Sequence, residues 1–362
     1  MKLIKLLEQL RNFRLLPVFV LVSMAIGVTI GKVYGISNFA LTPPIDAIKS
    51  IFRGEYSFTL PNTLALGVVV GLFLMMYPAM TNIRFEDLGR AVRSKKQLLT
   101  VLFFNFAVAP FLMYLLANVF FARGSDFHTA LVLYGLAPCI AMVIVFTFLA
   151  LGNSALAIVL VAMNSILQVA LIPVYARWLL GKVEFDVWLV AESVVLYLGL
   201  PLVAGTLTRR WGVRKYGELG FLKVKSLLDT LSIAGLLFTL VVMFALKGDL
   251  IVGQPGIIFK LAVPMTLFFW TMFILAYLVG WRMGFSYEDS VAVAFNSTGR
   301  DFEIAIAIAI TAFNTTVALA TVVGPLIEVP VMLVLVWLAR RSRGRLFSPA
   351  LSPVPEPEPE GD

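Results

Sequence analysis

Apolar residues in this chain run in stretches of about 20, and polar residues collect in the short intervals between them. A helix of that length crosses the hydrocarbon core of a bilayer, about 30 Å thick, where only helices or closed barrels satisfy every backbone donor and acceptor. The stretches are too long and too little alternating for barrel strands. They predict ten helices, over 15–35, 61–80, 98–120, 128–151, 155–180, 187–208, 231–247, 257–281, 289–312 and 315–339. The expected fold is therefore an all-α polytopic membrane protein with ten transmembrane helices.

Two of these stretches carry matching interruptions. Laying the sequence on itself at an offset of 161 residues puts "PCIAMVIVFTFLALGNSALA" over "GRDFEIAIAIAITAFNTTVALA", so that Cys139 meets Arg300 and Asn153 meets Asn314. Five spans per half is an odd number, which turns the second half upside down relative to the first, the inverted-repeat plan of secondary transporters. The halves expected are 15–180 and 187–339, preceded by a cytoplasmic segment, 1–14, and followed by a Pro/Glu-rich tail, 346–362, whose "SPALSPVPEPEPEGD" cannot bury a core and reads as disordered. In this plan the solute site lies at mid-membrane on broken helices at matching positions of the halves. Here those are the fourth and ninth, broken and crossing. Pro138 removes a backbone donor and frees the carbonyl of Tyr134, while "NSTGRD" puts Gly299 and two charges where the ninth helix should be most apolar.

Composition agrees. Of the residues, 60% are hydrophobic and 14% charged, with a mean hydropathy of +0.93, whereas soluble domains carry about 25% charged residues. The net charge of +8 is of the sign that nucleic-acid binding uses, but the basic residues sit in the short intervals, 20 on the side of the N-terminus and 8 on the other. The positive-inside rule places both termini in the cytoplasm. The basic start runs into an apolar stretch of full spanning length with no small-residue cleavage pattern, so a cleaved leader is not expected. A single cysteine, Cys139, excludes an internal disulfide and a multi-cysteine metal site; a single histidine, His128, excludes a histidine cluster.

A charge at mid-span costs about 2.5 to 3.5 kcal/mol on insertion scales. Five residues carry that cost: Glu192, Arg300, Asp301, Glu303 and Glu328. Glu192 lies within two turns of its helix start and reads as an interfacial side chain. Arg300 and Glu303, three apart, share a helix face and are expected to pair, with Asp301 capping the second half-helix. Glu328, in "GPLIEVPVM", has no charged neighbour in sequence. Apolar burial disfavours the charged form, which suits a proton carrier as well as a static hydrogen-bond donor. Asn164 and Gln168, in "VAMNSILQV", fall opposite this segment in the repeat and could line the site or join helices. Cys139, beside a proline break in the expected crossing, can offer a single weak bond to a thiophilic solute, and passage requires a site that also releases.

"GLAPCIAMVIV", "LVAMNSILQV", "DFEIAIAIAI" and "GPLIEVPVM", with "MYPAMTNIRFEDLGRA" after the second span, resemble the arsenical resistance-3 family of arsenite efflux permeases, a branch of the bile acid/sodium symporter superfamily. The resemblance runs over almost the whole chain, to about Arg341. It implies ten spans, an inverted repeat and proton-coupled extrusion of trivalent arsenic, sometimes antimony. By position it assigns the essential cysteine to Cys139, the fifth-span asparagine to Asn164 and the conserved acids to Glu303 and Glu328. The chain departs from the family's pattern at Phe146, where tryptophan is frequent, and at Arg300–Asp301, where an asparagine pair is frequent.

Arsenite at neutral pH is an uncharged trihydroxide, so the membrane potential alone cannot expel it, and exchange for protons would supply the drive. On this reading Cys139 ligates arsenic, Asn164 bonds its hydroxyls, and Glu328 or Glu303 exchanges the proton, with Pro138, Phe146, Gln168, Gly299, Arg300 and Asp301 in support. No cofactor is expected beyond the proton motive force, and the partners are the bilayer and a small inorganic solute; the oligomeric state stays open. The nearest alternative is a sodium-coupled organic-anion symporter of the bile-acid type, with sodium held near Asn164, Gln168 and Glu328. An intramembrane thiol enzyme would need a general base near Cys139, and His128 lies about three helical turns away.

Overall fold

A computed structural model describes residues 16–34, 50–51, 53, 60–81, 94–140, 142–181, 187–253 and 255–347. The N-terminal segment, the interval 82–93 and the Pro/Glu-rich tail beyond Phe347 lie outside the described residues. The described chain is helical, and its one β-type feature is an isolated antiparallel bridge between Pro138 and Arg300. The helices are α1 (Leu16–Val33), α2 (Leu60–Met80), α3 (Lys95–Phe120), α4 (Asp126–Leu136), α5 (Met142–Leu149), α6 (Ser154–Leu179), α7 (Val187–Val194), α8 (Leu200–Gly253), α9 (Pro255–Arg282), α10 (Tyr287–Thr298), α11 (Phe302–Ala312), α12 (Thr315–Val322) and α13 (Gly324–Leu346).

Among the described residues, four helical segments are long and apolar enough to cross a bilayer: Lys95–Phe120, Ser154–Leu179, Trp188–Val242 and Ile258–Arg282. The protein is a multi-pass membrane protein. Helices occupy all ten expected stretches, with α4 and α5 sharing one, α10 and α11 another, and α12 and α13 the last. That last break is not marked in the sequence reading. Gly324 and Pro325 follow Val323, and proline in the first turn of α13 has no N–H with which to continue the ladder of α12.

The basic interval 209–225, expected as a loop, is instead helix on both sides of a single break at Gly217, whose φ of 69° a side chain would disfavour. Leaving the hydrocarbon does not end a helix if its polar groups find partners. Arg209 reaches across the break to Glu218 at 3.2 Å and lies over the Phe221 ring, while Lys215 lies over Trp211. The α8 helix packs along α1 and α2, and α7 joins it through a π-turn at Val195–Gly199. The rest of the protein packs α3 on α4, α9 on α10 and α11 on α12, which brings the two broken helices together.

Helix starts recur at the 161-residue offset. Ser125 accepts a hydrogen bond from the N–H of His128 to cap α4, and Ser286 accepts one from Asp289 to cap α10. Asn153 caps α6 through the N–H of Leu156, and Asn314 caps α12 through those of Thr316 and Val317. Such caps satisfy donors that would otherwise be stranded at a helix start, each worth about 1 kcal/mol. The amide groups then reach across the molecule: Asn153 Nδ2 donates to Asp289 at 2.8 Å, and Asn314 Nδ2 donates to Asp126 at 2.9 Å. Each break thus ends in a clasp on the first turn of the other broken helix.

Candidate functional site where two helix breaks cross

The α4 helix stops at Leu136 because Pro138 cannot extend it; α10 stops at Thr298 because Gly299 turns extended, with φ −62° and ψ 142°. The freed backbone groups pair with each other. Cys139 N–H donates to Gly299 O at 3.0 Å, and Asp301 N–H donates to Ala137 O at 2.8 Å, a two-bond antiparallel crossing. Beyond it the Asp301 side chain caps α11 by accepting from the N–H of Ile304, as expected. The α5 helix starts at Met142.

Gly299 is there because of proximity. A methyl group on it would lie 2.3 Å from Val143 Cγ1, 3.1 Å from Cys139 Cβ and 3.5 Å from Glu328 Oε1. The thiol-bearing carbon of Cys139 and the carboxylate of Glu328 therefore face the same bare backbone from α13 and from the first break. Cys139 and Glu328 are buried. Glu328 accepts from Tyr134 Oη–H at 2.6 Å through one oxygen and from the backbone N–H of Arg300 at 3.3 Å through the other.

The Arg300 guanidinium, fully buried, turns towards the ends of the two stopped helices. It donates to Thr298 O at 3.2 Å, to Gly135 O at 3.4 Å, to Asn105 Oδ1 at 2.5 Å and to Ser297 O, and its carbon lies 5.4 Å from the centre of the Phe268 ring. The expected pairing with Glu303 falls on a side chain outside the described residues.

Asn164 and Gln168 lie one turn apart on α6, which packs against α4, α5 and α10. Both are fully buried, and none of their four amide atoms has a hydrogen-bond partner among the described residues. Buried amides without partners are costly. Phe146, also fully buried, stacks on Phe295 with ring centres 6.0 Å apart. Glu192 is exposed on α7. His128 lies at the first turn of α4, against the edge of Tyr114 and away from the break.

Pro138, Cys139, Gly299, Arg300, Asp301 and Glu328 are thus gathered at one crossing. Three members were missed by the sequence reading: Tyr134, Asn105 and Phe268. Tyr134 could have been suspected as the residue whose carbonyl Pro138 frees, and Asn105 as a lone amide in the aromatic "FFNFAV"; nothing distinguishes Phe268 from the other phenylalanines around it.

Residues 69–254 match the sodium bile acid symporter family. Over 340 residues, 89% of this chain and 87% of the relative, the sequence is 33% identical to a protein named arsenical-resistance protein Acr3 in Corynebacterium glutamicum. The chain belongs to the sodium bile acid symporter family. An arsenical-resistance protein Acr3 of Alkaliphilus metalliredigens is 35% identical over 353 residues, 91% of this chain and 92% of its own. A protein described as uncharacterized transporter slr0944, of Synechocystis sp., is 34% identical over 351 residues, 90% of this chain. As a member of the sodium bile acid symporter family, the chain is a transporter and not an enzyme, and the similarity to the arsenical-resistance branch read from the sequence is borne out.

Proposed function

We propose that the protein extrudes arsenite from the cell in exchange for protons, with antimonite as a second trivalent solute. The observation that carries this reading is the meeting of Cys139, Gly299 and Glu328 at the crossing, where the residue with the soft sulfur and a carboxyl group close on the same bare glycine backbone. The names of the Corynebacterium and Alkaliphilus relatives support the choice of solute. Cys139 supplies one sulfur bond to arsenic. The unpartnered amides of Asn164 and Gln168 bond the hydroxyls, and Glu328 takes up a proton as the solute leaves, with Glu303 as the second acid of the pathway. A single thiolate bond is easily exchanged, which a carrier needs as much as it needs affinity.

The architecture we propose is ten spans in two inverted halves, with both termini cytoplasmic. Paired caps at the 161-residue offset, the antiparallel crossing and the reciprocal clasps support it. Proton exchange supplies the drive that an uncharged solute cannot draw from the membrane potential. The test is arsenite uptake into inside-out vesicles under an imposed pH gradient, with sodium and with choline. Uptake that follows the pH gradient in both media supports the reading. Uptake that requires sodium, or transport of organic anions instead, would make the protein a sodium-coupled symporter of the bile-acid type.

A further inference from the structure

The Arg300 guanidinium occupies a cage of oxygen atoms that has the makings of an ion site. Gly135, Ser297 and Thr298 present the last carbonyls of α4 and α10, and a helix C-terminus carries partial negative charge on its unpaired carbonyls. Asn105 contributes a fourth oxygen from α3. Its amide is oriented for that purpose, because Nδ2 is spent on Asn296 O at 3.0 Å, which turns Oδ1 to the guanidinium. The Phe268 ring covers one face of the cation and keeps the cage apolar on that side. Glu328 accepts from the backbone N–H of Arg300 and not from its guanidinium nitrogens. Carbonyl ends of half-helices joined by a side-chain amide are the ligand type by which broken-helix transporters hold alkali cations.

We propose that Arg300 is a tethered cation, permanently filling a site that an alkali ion would otherwise occupy at the crossing. A mobile ion would enter, neutralise the two helix ends and leave on the far side, coupling its own gradient to transport. A guanidinium covalently attached to the break between α10 and α11 neutralises the same carbonyls and never crosses, so the cycle includes no alkali ion. Arg300 is on this account a positioning residue that sets coupling specificity and does not touch the solute. The proposal deepens the proton-exchange reading by giving a reason why sodium is not needed. Its test uses purified protein without arsenite, so that it fails or stands separately from the identity of the solute.

The measurement is the Tm of detergent-solubilised wild type, Arg300→Ala and Arg300→Lys in sodium chloride and in choline chloride at equal ionic strength. Wild type and Arg300→Lys, which keeps a tethered charge, are expected to have the same Tm in both salts. Arg300→Ala is expected to have a lower Tm in choline and to regain about 5 °C, saturably, with sodium, as ligand binding to the emptied cage stabilises the folded form. Arg300→Ala that gains no more from sodium than from choline overturns the proposal. So does wild type that is itself stabilised by sodium, and so does an Arg300→Ala protein that fails to fold in either salt, because sodium would then be unable to replace the missing charge.

Discussion

The two helix breaks do the same thing to the backbone and opposite things with their side chains. The first, Ala137–Pro138–Cys139, is neutral, and its one distinctive group is a soft sulfur. The second, Gly299–Arg300–Asp301, is charged throughout its side chains, and both charges are spent on the structure: Asp301 caps α11, and Arg300 binds the carbonyl ends of α4 and α10. A break always exposes polar backbone, which is tolerated at membrane depth only where protein surrounds it. Here one break supplies the charge that settles the exposed carbonyls of both. The other carries no charge of its own, and its distinctive group is the Cys139 sulfur.

That division of labour can be broken most severely at Cys139. Cys139→Ser keeps the size and the backbone N–H that donates to Gly299 but loses the soft ligand, so arsenite uptake into vesicles is expected to fall at least about 100-fold, with Tm and expression close to wild type. Transport by the serine protein at wild-type rates would remove the sulfur from the mechanism. Glu328→Gln comes next. It keeps most of the shape, and the Tyr134 hydroxyl can still donate to the amide oxygen, but the group can no longer exchange a proton. Uptake driven by a pH gradient is expected to be lost, while radiolabelled arsenite still exchanges between the two sides at equal pH; uptake by the glutamine protein that still follows the pH gradient would mean that Glu328 is not the proton carrier.

Gly299→Ala sharpens the comparison by driving the breaks apart. The added methyl would fall 2.3 Å from Val143 Cγ1, and accommodating it should cost about 1 to 3 kcal/mol, read as a lower Tm and a reduced arsenite affinity. An alanine variant with unchanged Tm and affinity would show that the crossing is looser than its geometry. The smallest effects are expected at the two clasps. Asn153→Ala and Asn314→Ala each remove a cap and a bond to an aspartate, about 1 to 2 kcal/mol in stability, and the two should match within about 0.5 kcal/mol if the halves are equivalent. A large disparity in chemical denaturation would argue against that equivalence.

Much of this was legible because it is local. A run of 20 apolar residues reports a span wherever it packs, and proline without an N–H reports a break at Pro138. Asp301, three residues before the N–H it caps, reports a helix start. The matching positions of Asn153 and Asn314 were visible because caps are dictated by helix starts and not by the apolar face, which drifts freely among Leu, Ile and Val. The rest depends on contacts between distant elements. Nothing near Asn105 announces that it will hold Arg300 from 195 residues away, and Glu328 finds Tyr134 only because α13 folds against α4. The 209–225 interval misled for the opposite reason: its charges imply departure from the hydrocarbon, and departure was equated with loop, although Arg209, Glu218, Lys215 and Trp211 stabilise the helix that continues there.

The crossing itself has a consequence for how the protein is made. Ala137 O and Cys139 N–H bond to residues some 160 positions later in the chain. At synthesis rates of about 5 to 20 residues per second, the first break waits roughly ten to thirty seconds in the membrane before its partner is translated. During that interval the half-built protein carries an open carbonyl and amide in a setting that offers no hydrogen bonds. Biogenesis of the chain up to α6 is therefore expected to depend on shelter by the insertion machinery or on water that remains with the nascent helices until α10 arrives.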